Sequence, residues 1–391
     1  MKKIVDVLNF NADASCLPTR DWLHALEGGN SSLLCQWLGL YRSYGKKIVL
    51  GFTGGTVADI AMQNPEAIAI INEHPEIFQI ILRPFSHDIS LLRVGRGFPV
   101  NFHYGEQAIR KEFRNVCNFF LPPEFMLTNE QLMNLREQNV EGVFINPDRF
   151  PEETRDRIPP FPYIVLGIFG TELLCLPVRG RLTDAYLHCL HMFDPDAWKK
   201  SLRALEDELI FVWRDGESPF LLPAGFSREE YWLENEDESI VREHIHTSSI
   251  RFMPQKNLPA KFYRSYPVHS FTAWMKEFRM LGFVSRIRKI EESLDRLTTD
   301  QIHLWLATIN SDILSAIEKE SPVVEIREKA GKTNTEKLVI RRSERGFEGE
   351  EYLAILEKTL VSGELPDYAT SSKASHIERL RNRLYYLNSL L

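Results

Sequence analysis

Two acidic residues follow predicted strands directly, at the positions where barrel enzymes place their catalytic groups. Glu124 comes after the apolar run 116–121, and Pro122 and Pro123 restrict the backbone ahead of it. Asp215 lies in WRDGES, immediately after the run ELIFVWR. Taken alone, each has an ordinary explanation: a surface glutamate in one case and an Asp-Gly turn in the other. As a pair, they are the two carboxylates that glycoside hydrolysis requires.

Other side chains near the predicted strand ends have the chemistry to hold a substrate. Asn11 and Asp13 follow the first strand, and His87 follows the third. Such groups hydrogen-bond sugar hydroxyls, and a tryptophan can stack on a sugar face, although most tryptophans pack in cores. The candidate substrate-binding residues are Asn11, Asp13, His87, Trp213, Glu217 and Trp274.

These residues need a scaffold that brings strand ends together, and the sequence predicts one. Apolar runs alternate with amphipathic segments, which indicates parallel strands joined by right-handed helical crossovers. The predicted strands are 3–10, 46–52, 78–85, 116–121, 142–146, 163–169 and 208–214. The predicted fold class is therefore α/β, a distorted (β/α)7-type barrel followed by a mainly helical C-terminal region.

Helix-like segments occupy the intervals between strands and most of the last third of the chain. They are 31–44, 56–74, 104–114, 128–138, 181–191, 196–206, 226–247, 269–296, 298–318, 348–361 and 374–390. Thr128, with Gln131 three residues later, predicts a capping box. The 391 residues exceed what one core usually holds, so we expect two units. These are a catalytic barrel over 1–225 and a helical region over 226–391, which packs on the barrel mouth and contains a hairpin near 323–342.

The two carboxylate motifs have a family resemblance. FFLPPEF, followed by a helix and GVFIN, resembles the third sequence region of glycoside hydrolase family 57, whose Trp-Leu-Pro-Glu stretch carries the nucleophile. WRDGESPF resembles the fourth region, in which the aspartate of an Asp-Gly-Glu is the general acid/base. NFNADAS and RPFSHDISLL are similar to two further segments, the second of which matches His87. The resemblance covers residues 1–290 and implies a barrel related to the polysaccharide deacetylase-like superfamily.

This resemblance implies a retaining glycoside hydrolase or transglycosylase that acts on α-glycosidic bonds by double displacement. Glu124 would attack the anomeric carbon and Asp215 would donate and then remove a proton, with the two carboxyl groups about 5–5.5 Å apart. Asp215 must then stay protonated near neutral pH, through burial or through the charges of Glu124 and Glu217. No cofactor is implied, and we assign no metal site.

Three segments depart from the family pattern. NAD at 11–13 stands where the family has a His-Gln-Pro-like group, Gln79 stands where a glutamate is common, and SPF at 218–220 replaces the final Phe-Gly. Substrate contacts are therefore expected to differ from those of the starch-active members.

Two other functions would use the same residues. A metal-dependent, polysaccharide deacetylase-like enzyme would need Asp13, His87 and a second histidine as ligands, but Leu91 stands four residues after His87. A barrel that binds a glycan without turnover is the other alternative, because one barrel fold hosts many functions. Loss of turnover in Glu124→Gln would distinguish an enzyme from such a binding protein.

Composition limits the partners. The net charge of −7 and the pI of about 5.9, without a basic stripe, argue against nucleic acid or an anionic membrane and favour an oligosaccharide or polysaccharide substrate. The five cysteines are odd in number and lie among apolar residues, which predicts reduced core thiols. No signal-like apolar region and no run of about 18 apolar residues occurs, so we expect a cytoplasmic protein. The oligomeric state stays open.

Overall fold

The structure is a computed structural model that describes most of the first 246 residues and parts of the remainder. The described residues are 2–11, 24–93, 95–149, 158–166, 172–180, 182–183, 186, 195–205, 209–221, 224–246, 258–259, 278–310, 353–354, 357–358, 361–362 and 382–390. Asp13, Trp274 and the predicted hairpin near 323–342 lie outside them.

One sheet contains the ten strands found in the described residues. They are β1 (Lys2–Phe10), β2 (Ile48–Phe52), β3 (Phe78–Leu82), β4 (Val116–Phe120), β5 (Gly142–Ile145), β6 (Tyr163–Leu166), β7 (Glu172–Pro177), β8 (Leu209–Asp215), β9 (Ile240–Arg242) and β10 (Leu258–Pro259). Seven of them are parallel neighbours in the order β1-β2-β3-β4-β5-β7-β8. The ring closes because β8 pairs with β1, and because Val178, just after β7, bridges Phe211 of β8. The predicted (β/α)7 barrel is confirmed.

The sixth strand of the barrel differs from the prediction. The run 163–169 supplies β6, which pairs antiparallel with β7 and lies beside it, outside the ring. The unpredicted β7 fills the ring position between β5 and β8 instead. Both runs are short and apolar, so the composition of each predicts a buried strand equally well. Which of them joins β5 depends on long-range pairing, which the local sequence does not show.

Helices connect the strands and cover the barrel. They are α1 (Leu33–Ser43), α2 (Gly54–Gln63), α3 (Pro65–Glu73), α4 (Gly97–Glu112), α5 (Asn129–Glu137), α6 (Pro195–Arg203), the single turn α7 (Ser218–Leu221), α8 (Gly225–Glu234), α9 (Phe278–Glu291) and α10 (Thr299–Thr308). The predicted capping box is confirmed, since Thr128 accepts from the Gln131 amide and the Gln131 side chain accepts from the Thr128 amide.

Two predicted helices are shorter than expected. The segment 56–74 splits at Asn64, whose side chain accepts a hydrogen bond from the amide of Ala67 at 3.2 Å. Pro65 begins the next helix because it has no amide hydrogen to continue the previous one. The segment 226–247 is helical only to Glu234, and residues 240–242 form β9 beside β1.

Gln79 connects β3 to the segment after β9 near the amino-terminal end of the barrel. Its side chain accepts from the amide of Ile245 at 2.7 Å and donates to the carbonyl of Ile245 at 3.0 Å. The Ile245 side chain packs in the barrel interior with Val5 and Val49. An ionised glutamate could accept the first of these hydrogen bonds but could not donate the second. A glutamine at this position therefore makes two hydrogen bonds to Ile245 where a glutamate would make one. Gln79 lies near the amino-terminal end of β3, at the opposite end of the barrel from Glu124 and Asp215, and the expectation that substrate contacts differ stays a prediction.

The described helices of the C-terminal region contact the loop that follows β3. Ser86 donates a hydrogen bond to the carbonyl of Leu306 in α10, and Asp88 forms a bridge with Asn310. Farther along the loop, Arg93 pairs with a glutamate at the end of α9. These contacts fix the loop at the barrel mouth, while the division of the chain at residue 225 stays a prediction. In the described part of the chain, no helix has the length and apolar character needed to cross a membrane.

Candidate active site

A cavity of about 160 Å³ lies at the carboxyl-terminal end of the barrel strands. Side chains from β1, β8 and the segments after β3 and β4 line it. These are Asn9, Arg83, His87, Pro122, Glu124, Phe125, Trp213 and Asp215. The two predicted catalytic carboxylates therefore face the same space.

Glu124 is held in an unusual backbone conformation. It lies in the single 3-10 turn Pro123–Phe125, with φ 50° and ψ 15°, and Phe125 follows with φ 56°. A left-handed conformation costs a residue that has a Cβ roughly 1–2 kcal/mol. Two such residues in succession store strain at one point of the cavity, which is where functional sites commonly keep it. The paired prolines ahead fix the direction from which the turn begins.

A short chain of side chains supports the Glu124 carboxylate. His87 Nε2 lies 3.2 Å from Glu124 Oε1, and His87 Nδ1 lies 2.8 Å from an Arg83 guanidinium nitrogen. The same guanidinium donates to the carbonyl of Leu121 at 2.9 Å. Arg83 and His87 are both buried. The Glu124 carboxylate therefore contacts the imidazole ring of His87, and the guanidinium of Arg83 contacts the other side of that ring.

Asp215 ends β8 and stands opposite Asn9 of β1 in the register of the two strands. Asn9 Nδ2 donates to Asp215 Oδ1 at 3.4 Å. Gly216 follows because a Cβ there would lie only 2.3 Å from the ring of Phe10, so the Asp-Gly pair is set by close packing. Solvent reaches the Asp215 side chain through the cavity, yet protein atoms surround the carboxyl group.

The electrostatic setting of Asp215 favours its protonated form. Burial raises the pKa of Asp215 above its usual value, and the nearby Glu124 carboxylate raises it further. The hydrogen bond from Asn9 and the charge of Arg83 act in the opposite direction but do not cancel the rise. A raised pKa is the property that a general acid needs.

Removing the Asn9 hydrogen bond should shift the pH dependence of the site. Asn9 stabilises ionised Asp215, so Asn9→Ala should raise the pKa of Asp215 and move the alkaline limb of kcat/KM to higher pH. Asn388→Ala is a matched control, because Asn388 also donates to an aspartate at 3.4 Å but lies on the exposed surface. An alkaline limb that stays in place in Asn9→Ala, or moves to lower pH, would contradict this role.

The structure brings four of the eight predicted site residues to the cavity wall and leaves two beside it. Glu124, Asp215, His87 and Trp213 line the cavity. The backbone amide of Asn11 donates to the Glu217 carboxylate, which places this pair next to the Asp215 turn. Asp13 and Trp274 lie outside the described residues.

Besides Pro122, which the sequence indicated only as a restraint on the backbone before Glu124, three lining residues were missed by the sequence reasoning. Val5, Val7 and Asn9 alternate toward the barrel interior, so a period of two along β1 would have indicated Asn9 as its inward polar residue. Arg83 follows the buried run FQIIL directly and could have been found by the rule that selected Glu124. Phe125 gave no separate signal; it forms an edge-to-face pair with Trp213 at 5.3 Å.

No group of three or more potential ligands for a metal ion is found in the described part of the chain. His87, a ligand in the deacetylase-like alternative, has a guanidinium nitrogen 2.8 Å from one ring nitrogen. That positive charge disfavours a divalent cation beside it. Asp13, the other ligand of this alternative, lies outside the described residues.

The sequence matches no protein-family model, and the comparison with curated proteins found no match. Solved structures do match. A GH57-type branching enzyme from Pyrococcus horikoshii has a TM-score of 0.63 at 12% identity, over 98% of this chain and 95% of that one. A GH57 branching enzyme from Thermococcus kodakaraensis, in complex with glucose, has a TM-score of 0.62 at 12% identity, over 100% and 96%. The chain shares the fold of these enzymes.

A third match shows how far the likeness extends. A 4-alpha-glucanotransferase from Thermococcus litoralis has a TM-score of 0.59 at 13% identity, over 80% of this chain. The chain spans 56% of the length of that enzyme, but nearly the whole length of the two branching enzymes. The match thus extends beyond the barrel to the described helices α9 and α10.

Proposed function

We propose that this protein is a retaining glycoside hydrolase or transglycosylase of family 57, acting on the α-glycosidic bonds of an oligosaccharide or polysaccharide. Glu124 is the nucleophile and Asp215 the general acid/base. The carrying observation is that both carboxyl groups face one cavity in different settings: Glu124 is hydrogen-bonded to His87, and Asp215 has a raised pKa. The fold shared with branching enzymes and a glucanotransferase supports an α-glucan as the substrate class.

In the first step Glu124 attacks the anomeric carbon of the bound sugar. A carboxylate-to-carbon bond forms as the glycosidic C–O bond breaks, and the proton of Asp215 passes to the departing oxygen. Burial and the Glu124 charge favour protonated Asp215 for this transfer, while His87 holds the Glu124 carboxyl group by a hydrogen bond.

In the second step the roles of Asp215 reverse. Ionised Asp215 takes a proton from water, or from the hydroxyl of an acceptor sugar, and the oxygen of that molecule displaces Glu124 from the anomeric carbon. Water gives hydrolysis and a sugar gives transfer. Once the first step has consumed the Glu124 charge, the repulsion that favoured protonation of Asp215 is relieved, which suits its new role as a base.

The aromatic wall and the turn after β8 supply the contacts we propose for the sugar. Trp213 and Phe125 form an apolar corner of the cavity. Asn11 and Glu217 lie beside it, and Asp13 and Trp274 complete the proposed set of substrate contacts. We further infer action in the cytoplasm, a proposal supported by free thiols at Cys35, Cys117 and Cys175.

The stereochemistry of the first product tests this function. Incubated with an α-linked glucan oligosaccharide, the protein should release a reducing end in the α configuration, which proton NMR detects before mutarotation. Two successive displacements retain the configuration. A β product at early times would show single displacement and overturn the double-displacement mechanism. The α-to-β conversion of free product in the same buffer is the reference.

A further inference from the structure

Arg83 has no role in the two steps described above, yet it is buried on the wall of the active-site cavity. It begins a line of contacts that runs to Glu124 through His87, at 2.8 Å and then 3.2 Å. Its second contact, at 2.9 Å, is with the carbonyl of Leu121, shortly before the strained turn that carries Glu124. Arg83 thus contacts both the histidine that binds the Glu124 carboxylate and the backbone that leads into the Glu124 turn.

The chemistry of the guanidinium decides which atoms of His87 carry protons. A guanidinium has five N–H donors and no acceptor. Burial lowers the pKa of Arg83 to about 10, against the opposing effect of nearby carboxylates, so the side chain stays charged near neutral pH. His87 Nδ1 must therefore accept the hydrogen bond and carry no proton. A neutral ring then has its single proton on Nε2, the nitrogen that faces Glu124.

The other protonation states of His87 would place two donors against each other. An imidazolium, or the neutral tautomer with the proton on Nδ1, would direct an N–H at the Arg83 donor 2.8 Å away. Among the described residues, four carboxylates act on the charge of Arg83: Glu124, Asp215, Asp88 and Glu217. The guanidinium nitrogen that lies 2.8 Å from His87 Nδ1 points at the ring, so the acceptor of its hydrogen bond is Nδ1 and not one of these carboxylates.

We propose that Arg83 is a positioning residue, which fixes His87 as the neutral Nε2–H tautomer so that the ring donates a hydrogen bond to the Glu124 carboxylate. The catalytic consequence rests on the proposed function, whereas the tautomer does not. The hydrogen bond from His87 to Oε1 orients the Glu124 carboxylate for its attack on the anomeric carbon. The same donor stabilises the carboxylate again when it departs in the second step.

The tautomer can be measured without any substrate. Two-bond proton–nitrogen NMR of 15N-histidine-labelled protein distinguishes the two neutral tautomers and the imidazolium, and the His87 signals are those missing in His87→Gln. We expect an unprotonated Nδ1 and a protonated Nε2 in the unmodified protein. A proton on Nδ1 overturns the inference, even if the enzyme is active. The expected tautomer in a protein without glycosidase activity would sink the proposed function and leave the inference standing.

Variants of Arg83 then test the consequence. In Arg83→Met the His87 proton should redistribute between the two nitrogens, and kcat should fall about 10²-fold with a smaller change in KM, as expected when a reacting group is misplaced. Arg83→Lys, which keeps a charged donor, should recover the tautomer and part of kcat. Arg383→Met is the control, since Arg383 is also buried and donates to the carboxylate of Asp59 and to the carbonyl of Gly55, away from the cavity. An unchanged tautomer in Arg83→Met would contradict the proposal.

Discussion

Glu124→Gln is expected to lower kcat by roughly 10⁴-fold or more, the range found when a covalent nucleophile is removed. The amide has nearly the shape of the carboxylate and still offers an oxygen to His87, 3.2 Å from the native Oε1. It cannot form the ester with the sugar, so the loss should fall on kcat more than on KM. Steady-state kinetics with an α-glucoside that has an activated leaving group would measure it.

Two further variants serve as controls for this result: one removes a glutamate charge on the surface, and the other replaces Glu124 by glycine. Glu234→Gln removes the charge of an exposed glutamate that contacts Tyr44 at 3.1 Å, and it should leave kcat unchanged. Glu124→Gly removes the carboxylate at a position with φ 50°, which glycine adopts without strain. That variant should be inactive but no less stable than the unmodified protein in urea unfolding. Full activity in either Glu124 variant would exclude the proposed nucleophile.

Arg214→Met is expected to lower the free energy of unfolding by about 3–5 kcal/mol, because it removes a buried cation that pairs with two buried carboxylates. Arg214 is fully buried and binds Asp6 through two nitrogens, at 2.8 and 2.6 Å. It also pairs with Glu229 at 3.2 Å and lies 4.1 Å above the ring of Tyr186. Burial alone would raise the pKa of Asp6, but Arg214 and Arg242 hold it below its usual value.

The surface pair Arg203–Asp237 provides the comparison. Arg203 also reaches its aspartate with two nitrogens, at 3.1 and 2.8 Å, but 71% of its side chain is exposed. Arg203→Met should therefore cost no more than about 1 kcal/mol. Guanidinium chloride unfolding of both variants measures the difference. Equal values would mean that the buried network contributes no more than a surface ion pair.

The two faces of β8 connect this network to the active site. Trp213 and Asp215 point into the barrel, whereas Arg214, between them, points outward to the layer of helices. The outward arginine ties β8 to Asp6 of β1, and the inward aspartate meets Asn9 of the same strand. A change that loosens the network should thus also disturb the position of the Asp215 carboxyl group.

Local sequence signals predicted the parts of this molecule that local physics determines. Glu124 and Asp215 could be located because parallel strands end at one face, and the Thr128 cap because its partner is three residues away. The role of Gln79 could not be predicted, since its partner Ile245 is 166 residues away. The choice of β7 over β6 for the ring depended in the same way on distant pairing.

Arg83 shows a different limit. Its position after a buried strand was visible, but its effect on Glu124 passes through a histidine four residues later, across a loop that the C-terminal helices hold. The sequence shows that residue 83 is a charged arginine, but only the structure shows that its guanidinium contacts Nδ1 of His87. The sequence could therefore predict the two carboxylates and His87, but not the contact of Arg83 with His87 or that of Asn9 with Asp215.

Covalent trapping tests the central claim most directly. A 5-fluoro-α-glucosyl fluoride loses fluoride as the enzyme nucleophile attacks, and the electron-withdrawing ring fluorine slows release of the ester. Peptide mass mapping should then find one fluoroglucosyl group on the peptide that contains FFLPPEF, attached at Glu124, and none in Glu124→Gln. A sugar attached to another residue, or turnover of the reagent with an inverted product and no adduct, would contradict the assignment of Glu124 as the nucleophile.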